Sequence, residues 1–216
     1  MNNFCTSANH RIAAVLLACV IMSAACSHAQ NSGPERDRWQ HPDRVLDALG
    51  IKAGMVVADI GCGKGYFVLE FADRVGPSGK LYAQDISDDV LANVRKEAEK
   101  QGMKQIQTVL GAEGDPHLPE SSIEVAFAMD TYHEWVQYDA MLDRIYAALK
   151  PGGLFGVIDG ATDPGKTRED YHSMHRMPES MERDDVVRHG FNFLREEPGF
   201  TRPSDGKTYY FMIFQK

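Results

Sequence analysis

The sequence of 216 residues predicts an α/β fold: a doubly wound sheet of seven strands, mostly parallel, with an antiparallel strand at the C-terminus. Three observations carry this prediction. Short apolar runs recur about every 20 to 30 residues between longer amphipathic segments, as expected of parallel strands joined by helices. One run ends in three glycines spaced by two, which is typical of a sharp turn from strand to helix. The last two strand-like runs are joined only by a loop, which favours antiparallel pairing.

Length and charge limit the kind of protein. A chain of 216 residues is long enough for one domain with a well-buried core. Charged residues make up 25% and hydrophobic residues 43%, which is ordinary for a globular protein. The net charge of −8 gives no general basic surface for nucleic acid, so we expect no nucleic acid partner, with a local basic patch as the alternative.

Residues 1–29 are typical of an export signal. Arg11 is followed by sixteen uncharged, mostly apolar residues, a run that is short for a membrane-spanning helix of about 20 residues. Cleavage after Ala29 would follow a small-x-small site. We therefore expect an exported, periplasmic protein, with an uncleaved anchor or a wrongly assigned start as the alternatives.

Residues 24–27 offer a second processing site. The segment Ala-Ala-Cys-Ser is similar to a lipoprotein site in which Cys26 would be acylated, although Ser23 stands where leucine is more usual. Membrane association is expected only if Cys26 is acylated or the leader is retained. Of the four cysteines only Cys62 lies outside the leader, so no disulfide forms within the folded body.

The remaining chain divides into a polar linker over residues 30–40 and a domain over residues 41–216. The domain opens with a short helix around Val45, Leu46 and Leu49, closed by Gly50. Apolar residues at helical spacing then predict helices over Phe67–Val75, Val90–Ala98 and Met141–Leu149. The predicted strands are Met55–Ile60, Lys80–Gln84, Ile106–Leu110, Ile123–Met129, Leu154–Ile158, Phe191–Glu197 and Thr208–Phe214.

The turn after the first strand predicts a ligand pocket. Gly61, Gly63 and Gly65 lack a Cβ, so the turn can adopt positive φ and bring a ligand against backbone amides at a helix N-terminus. A nucleotide-like cofactor fits such a turn. The dinucleotide fingerprint G-x-G-x-x-G is absent, because its third glycine would fall on Tyr66.

This turn resembles the first motif of the class I S-adenosylmethionine-dependent methyltransferases, which have a Rossmann-like fold. The antiparallel ending matches the sheet of that family. The resemblance extends over residues 38–216 and is closest to predicted bacterial methyltransferases that often carry signal peptides. It implies S-adenosylmethionine as cofactor, with its amino acid end held by the turn residues Gly61, Cys62, Gly63 and Gly65. It also implies that Asp59 orients the turn or meets the cofactor's ammonium group through water.

Two further segments are expected to hold the cofactor. Asp85 closes the second strand, where an acidic side chain can accept hydrogen bonds from both ribose hydroxyls, and Ile86 follows it. The resemblance implies an adenine contact after the third strand, at Ala112 and Glu113. Asp115 could take the acidic role there, and a solvated loop charge is an equal alternative.

The segment 129–135 leaves the fourth strand at the sheet edge where ligands bind in α/β folds. Methyl transfer from a sulfonium is an in-line displacement, and a hydroxyl or amine acceptor must also lose a proton. His133 is the best candidate base, with Asp130 second as base or as the group that orients the acceptor. Tyr132 is expected at the substrate. The alternative is that His133 packs on the next helix while Tyr132 and Trp135 line an apolar pocket.

His172 and His175 form a His-x-x-His pair. On a helix they would share one face, and with Asp130 or His133 a metal site can be drawn. A pair without a third ligand at fixed spacing is common by chance, so we expect no metal. We expect instead a loop over the active site, in which His175 and Arg176 touch the substrate or the cofactor carboxylate.

The sequence thus predicts S-adenosylmethionine-dependent methyl transfer to a small molecule. One alternative is a catalytically silent module that binds S-adenosylmethionine or S-adenosylhomocysteine. Another is an NAD-dependent oxidoreductase, which the glycine spacing and the antiparallel ending both disfavour. The segments that would bind the acceptor match no substrate class.

Overall fold

The structure is a computed structural model that describes residues 34–216. The expected signal peptide over residues 1–29, including Cys26, lies outside the described residues. Among the helices of residues 34–216, none is long and apolar enough to cross a membrane.

The described chain is built around one seven-stranded sheet in the order β3-β2-β1-β4-β5-β7-β6. The first five strands are parallel, and β7 lies antiparallel between β5 and β6. This confirms the predicted mostly parallel sheet with an antiparallel C-terminal strand. The strands are β1 (Val56–Ile60), β2 (Lys80–Asp85), β3 (Ile106–Leu110), β4 (Ile123–Met129), β5 (Leu149–Gly160), β6 (Asn192–Thr201) and β7 (Thr208–Gln215).

Helices cover both faces of the sheet. They are α1 (Pro34–Gln40), α2 (Pro42–Ala48), α3 (Tyr66–Val75), α4 (Asp88–Gln101), α5 (Tyr138–Ala148), α6 (Arg168–Met174) and α7 (Glu179–Arg188). Apolar side chains of α2, α3 and α4 join one buried cluster, and those of α5, α6 and α7 join a second. The core therefore has the two layers expected of a doubly wound sheet.

Local chemistry sets the limits of α4, the longest helix. The hydroxyl of Ser87 accepts a hydrogen bond from the N–H of Val90 and so caps the first turn. Gly102 ends the helix in the left-handed region at φ 68°. The helix therefore begins at Asp88, shortly after Asp85 at the end of β2.

The main correction to the fold concerns residues 34–40 of the expected linker over residues 30–40, whose first residues lie outside the described part of the chain. Residues 34–40 form α1, which packs on the domain instead of leading into it. The hydroxyl of Tyr66 donates to Asp37 at 2.8 Å, and the rings of Trp39 and Tyr209 lie 5.3 Å apart. The sequence did not reveal this helix because it is polar and shows no apolar residues at helical spacing. Its contacts with the domain are made by one aromatic ring and a few polar groups.

The expected loop around His172 and His175 is the second correction. Residues 168–174 form α6, which begins with a capping box between Thr167 and Asp170. His175 ends the helix in the left-handed region at φ 50°. The short length of α6 and the weak amphipathic pattern of α7 explain why the sequence did not reveal either helix.

Candidate active site

A pocket of about 600 Å³ opens at the carboxyl ends of β1, β2 and β4. The strand order reverses between β1 and β4, and such a reversal is where ligands bind in open α/β sheets. The volume is in the range of small-molecule sites. Its lining residues are Arg36, Gly61, Cys62, Gly63, Lys64, Tyr66, Gln84, Asp85, Ile86, Glu113, Met129, Asp130, Thr131, Glu134, Trp135, Val136, Met141 and His172.

The glycine turn forms one wall. Gly61, Gly63 and Gly65 adopt φ values of 67°, 51° and 79°, a region that side chains disfavour. A Cβ at Gly61 would lie 2.4 Å from the hydroxyl of Thr131, so this position also needs the space. Gly65 does not line the pocket; a Cβ there would lie 3.2 Å from Val94, and its place is at the start of α3.

Asp85 ties the turn to the end of β2. One carboxylate oxygen accepts from the N–H of Gly63 at 3.0 Å, and the other accepts from the N–H of Ser87 at 3.0 Å. A carboxylate has about four lone-pair sites, so two remain for a ligand. The residue beside it, Ile86, is 60% exposed and lines the pocket.

Gln84 is a pocket residue that the sequence analysis missed. Its buried side chain accepts a hydrogen bond from the N–H of Gly61 at 3.3 Å, and its backbone carbonyl accepts from Cys62 at 2.9 Å. A polar residue at the end of a buried strand gives a weak signal for such a role. Burial raises the pKa of the Cys62 thiol, so this side chain is inert and behaves as a small apolar residue.

Asp59 and Arg36 set the electrostatics behind the turn. Burial, and after it the charge of Asp85, raise the pKa of Asp59 to about 8, while Arg36 acts in the opposite direction. Arg36 reaches the pocket from α1 and lies over the ring of Tyr66, 4.2 Å from its centroid. Since Arg36 falls in the expected linker, sequence patterns gave no signal for it.

The adenine segment agrees with the expectation only in part. Glu113 lines the pocket, where Gln137 donates to its carboxylate at 3.3 Å. The backbone of Ala112 pairs with Asp115, whose carbonyl accepts from the N–H of Ala112 at 2.7 Å. The amide of Ala112 thus already has a partner within the loop, and a contact between Ala112 and the cofactor stays a prediction.

His133 belongs to a buried pair that the sequence did not reveal. Its Nδ1 lies 2.7 Å from Asp159 at the end of β5, and its backbone N–H donates to the other oxygen at 2.9 Å. Both side chains are buried. Burial lowers the pKa of His133, but the hydrogen bond and charge of Asp159 outweigh it and raise this pKa above its usual value.

His133 does not line the pocket described above, and its Nε2 lies next to the side chains of His175 and Glu134. Nδ1 of His175 lies 3.3 Å from that Nε2, and a carboxylate oxygen of Glu134 lies 3.9 Å from it. Glu134 and His172 do line the pocket, so this cluster borders it. The role of His133 as base stays a prediction.

Asp130 lines the pocket but is already paired. Buried Lys207 donates to its carboxylate at 2.9 Å and to the carbonyl of His175 at 2.8 Å. Asp130 adopts a left-handed backbone at φ 54°, which directs the chain from β4 into the pocket wall. The pairing favours the orienting role over that of a base.

Two expected substrate contacts lie elsewhere. Tyr132 is fully buried, and its hydroxyl donates to Asp185 at 2.9 Å. Arg176 donates to the carbonyl of Ala161 at 3.4 Å and does not line the pocket. Each has a protein partner and neither lines this pocket, so their contact with a substrate stays a prediction. Trp135, which the alternative interpretation places beside Tyr132, does line the pocket.

Comparison with known proteins finds similarity to methyltransferases, in agreement with the geometry of the pocket. Residues 51–198 match a family described as a methyltransferase domain. Nocamycin O-methyltransferase of Saccharothrix syringae is 30% identical over 126 residues, which cover 58% of this chain and 45% of that protein. The chain spans about half the length of the curated relatives it matches.

Solved structures share the fold. An S-adenosylmethionine-dependent methyltransferase from Aquifex aeolicus superimposes with a TM-score of 0.72 and 24% identity, over 85% of this chain and 93% of that one. The [4+2]-cyclase SpnF superimposes with a TM-score of 0.71 and 16% identity, over 82% of this chain and 80% of that one. Because the matched family spans well over half of the sequence, the chain belongs to the methyltransferase domain family and has the fold of the class I S-adenosylmethionine-dependent enzymes.

Proposed function

We propose that the protein transfers a methyl group from S-adenosylmethionine to a small-molecule acceptor. One observation carries the proposal: the turn at Gly61 and Gly63 and the carboxylate of Asp85 meet in a single pocket, joined by a hydrogen bond of 3.0 Å. Family membership supports it. The relatives' names point to small molecules, since nocamycin and demethylmenaquinone are the compounds that they name.

The charges around the turn suit the amino acid end of this cofactor. Asp59, which is buried behind the turn, would meet the ammonium group through water, and Arg36 would meet the carboxylate from α1. The two lone-pair sites left on Asp85 would receive the ribose hydroxyls. Ile86 and Glu113 would border the adenine. Each group of the cofactor thus faces a side chain of suitable polarity.

The acceptor would enter opposite the glycine turn. Trp135, Val136 and Met141 form an apolar part of the wall there, and Val136 is 69% exposed. This wall fits an acceptor with an apolar body. The acceptor's oxygen or nitrogen would displace S-adenosylhomocysteine from the methyl carbon, and its proton would leave toward the cluster of His133, Glu134 and His175. In this scheme His133, held by Asp159, receives the proton and Asp130 orients the acceptor.

A second candidate is binding of the cofactor without methyl transfer. The likeness to a [4+2]-cyclase shows that this fold also occurs in a protein named for another reaction. Export, which the leader suggests, would favour this candidate, because S-adenosylmethionine is made in the cytoplasm. We propose a periplasmic location on the leader alone.

The test is transfer of an isotopically labelled methyl group by the purified full chain. Hydroxylated and amino-substituted aromatic and isoprenoid compounds form the acceptor panel, and binding of S-adenosylhomocysteine is measured in parallel. Labelled product from any acceptor supports the enzyme. Binding without product across the panel supports the second candidate, and absence of binding contradicts both.

A further inference from the structure

We propose that His133, Glu134 and His175 form a binding site for one divalent transition-metal ion, with Zn²⁺ as the best fit. Two imidazole nitrogens and one carboxylate oxygen converge beside the pocket. The ligands come from the turn after β4 and from the end of α6. The sequence leads us to expect no metal, and this proposal departs from that expectation: the site uses His175 of the His-x-x-His pair, but not His172, together with His133 and Glu134 from another segment.

The distances match those of a metal site. Nε2 of His133 and Nδ1 of His175 are 3.3 Å apart, and one oxygen of Glu134 lies 3.9 Å and 3.8 Å from them. The point equidistant from the corners of a triangle with these sides lies about 2.1 Å from each, the length of Zn–N and Zn–O bonds in proteins. The two nitrogens already have the separation of tetrahedral ligands, about 3.4 Å, and the exposed Glu134 side chain needs to move its oxygen only about half an ångström closer to hold a tetrahedral ion.

Metal-binding histidines usually donate their second ring N–H to a carboxylate or carbonyl group, and Asp159 is such a partner for His133. It accepts from Nδ1 of His133 at 2.7 Å, so the lone pair of the neutral ring is on Nε2, which faces the proposed ion. The carboxylate is itself fixed by the backbone N–H groups of His133 and Gly160 at 2.9 Å and 2.6 Å. One ligand is therefore oriented before any ion binds.

The other two ligands provide access. The side chains of Glu134 and His175 are 53% and 68% exposed, whereas that of His133 is 2% exposed. The backbone of His175 is held in place, because Lys207 donates to its carbonyl at 2.8 Å. An ion can reach the site from solvent, and Glu134, which also lines the pocket, connects the site to it.

The donor set selects the class of ion. Mg²⁺ and Ca²⁺ prefer oxygen ligands, whereas two imidazoles and a carboxylate suit Zn²⁺ and its first-row neighbours. Three protein ligands with an open position are typical of reactive rather than structural zinc sites. Zn²⁺ is therefore the probe of choice, and Mg²⁺ is the matched negative probe.

The role of the ion rests on the proposed function, whereas its binding does not. A hydroxyl acceptor bound to the ion would lose its proton more easily, and the oxygen would then take the methyl group from the sulfonium. The proton leaves to water, and the products are the methyl ether and S-adenosylhomocysteine. His133 then acts as a ligand; without the ion it keeps the role of base.

The test is metal binding by the full chain after treatment with a chelator, at pH 8. Zn²⁺ affinity and stoichiometry are measured by competition with an indicator, and Co²⁺ provides absorption bands that report coordination. Cysteines in the expected leader could also bind Zn²⁺, so the stoichiometry is compared between two chains that share them. The unchanged chain should bind one equivalent more than His175→Ala. Glu134→Gln should weaken this site by about tenfold or more, and Asp159→Asn by about 10–100-fold. Mg²⁺ should not compete.

His189→Ala is the matched control, since its ring also lies between carboxylates, 2.7 Å from Asp143 and 2.9 Å from Asp139. It should bind Zn²⁺ like the unchanged chain. Equal stoichiometry in the unchanged chain and His175→Ala would overturn the proposal and leave a simple hydrogen bond between two histidines. Binding of S-adenosylhomocysteine, measured on the same samples, separates this failure from failure of the proposed function.

Discussion

Asp85 at the end of β2 accepts a hydrogen bond of 3.0 Å from the backbone N–H of Gly63, in the turn that follows β1. The two residues are neighbours only because β1 and β2 are parallel and adjacent, so that both strands end at the same edge. The carboxylate thereby fixes the turn that would hold the amino acid end of the cofactor, and two of its lone-pair sites remain for the ribose hydroxyls. The first prediction tests this double role.

Asp85→Ala should weaken binding of S-adenosylhomocysteine by about a hundredfold or more, because hydrogen bonds to a charged group contribute about 1.5–3 kcal/mol each. The turn also loses its anchor at Gly63. Calorimetric titration of the full chain measures the change. Asp88→Ala is the matched control: this exposed acid begins α4, pairs with Arg95 and should leave the affinity unchanged. Equal affinities in both variants would remove Asp85 from the site.

Gly61→Ala should destabilise the protein by about 2–5 kcal/mol. The left-handed backbone at φ 67° costs about 1–2 kcal/mol for a residue with a Cβ, and overlap with Thr131 adds about 1–3 kcal/mol. Urea unfolding followed by circular dichroism measures the loss. Gly50→Ala has a similar φ of 63° but meets nothing within 4 Å, so it should lose only about 1–2 kcal/mol. Equal losses would show that Thr131 does not crowd the turn.

Binding of S-adenosylhomocysteine should release close to one proton at pH 7 from Asp59. The pKa of Asp59 is about 8 in the free protein, so the carboxyl is mostly protonated, and a bound ammonium group favours the ionised form. Titrations in phosphate and in Tris should therefore give different heats, and Asp59→Asn should abolish the difference. Heats that do not depend on the buffer would contradict the proposed contact.

The same shift predicts how the stability of the free protein depends on pH. The pKa of Asp59 is higher when folded than when unfolded, so unfolded chains hold fewer protons on this group between about pH 4 and pH 8. Its contribution to the free energy of unfolding should fall as pH rises through that window. Asp59→Asn should flatten this part of the profile in urea unfolding measured from pH 5 to pH 8.

Tyr132→Phe should lower stability by about 1–3 kcal/mol and leave cofactor affinity unchanged. The buried hydroxyl donates to Asp185, which also binds Arg168 and Arg188, and its removal leaves this carboxylate short of one donor. Urea unfolding and calorimetric titration measure the two effects. Tyr82→Phe is the control, since its hydroxyl has only a 3.3 Å contact from exposed Lys80. A loss of cofactor affinity in Tyr132→Phe would return Tyr132 to the pocket.

The sheet could be predicted because its signals are local. Each strand is a short apolar run, and the glycine turn and Asp85 stand at fixed places in the first βαβ unit. Parallel strands place their carboxyl ends together, so residues after β1, β2 and β4 had to meet. The pocket lined by Gly61, Asp85 and Asp130 follows from these rules.

Other parts of the site depend on contacts between distant segments. Asp159 reaches His133 across two neighbouring strands, and Arg36 reaches the pocket from a helix whose composition resembles a linker. The amide of Ala112 pairs with Asp115, a contact set by loop geometry that no pattern in the sequence indicates. No spacing rule applies to such pairs, since they arise from packing rather than from periodicity.

The central claim is that the pocket is built for S-adenosylmethionine and not for a dinucleotide, and a calorimetric comparison of two ligands tests it most directly. The full chain is titrated with S-adenosylhomocysteine and, separately, with NAD⁺. The account predicts binding of S-adenosylhomocysteine at one site per chain, at least about a hundredfold tighter than NAD⁺, a difference of about 2.7 kcal/mol. Absence of binding by S-adenosylhomocysteine, or equal or tighter binding of NAD⁺, would contradict it.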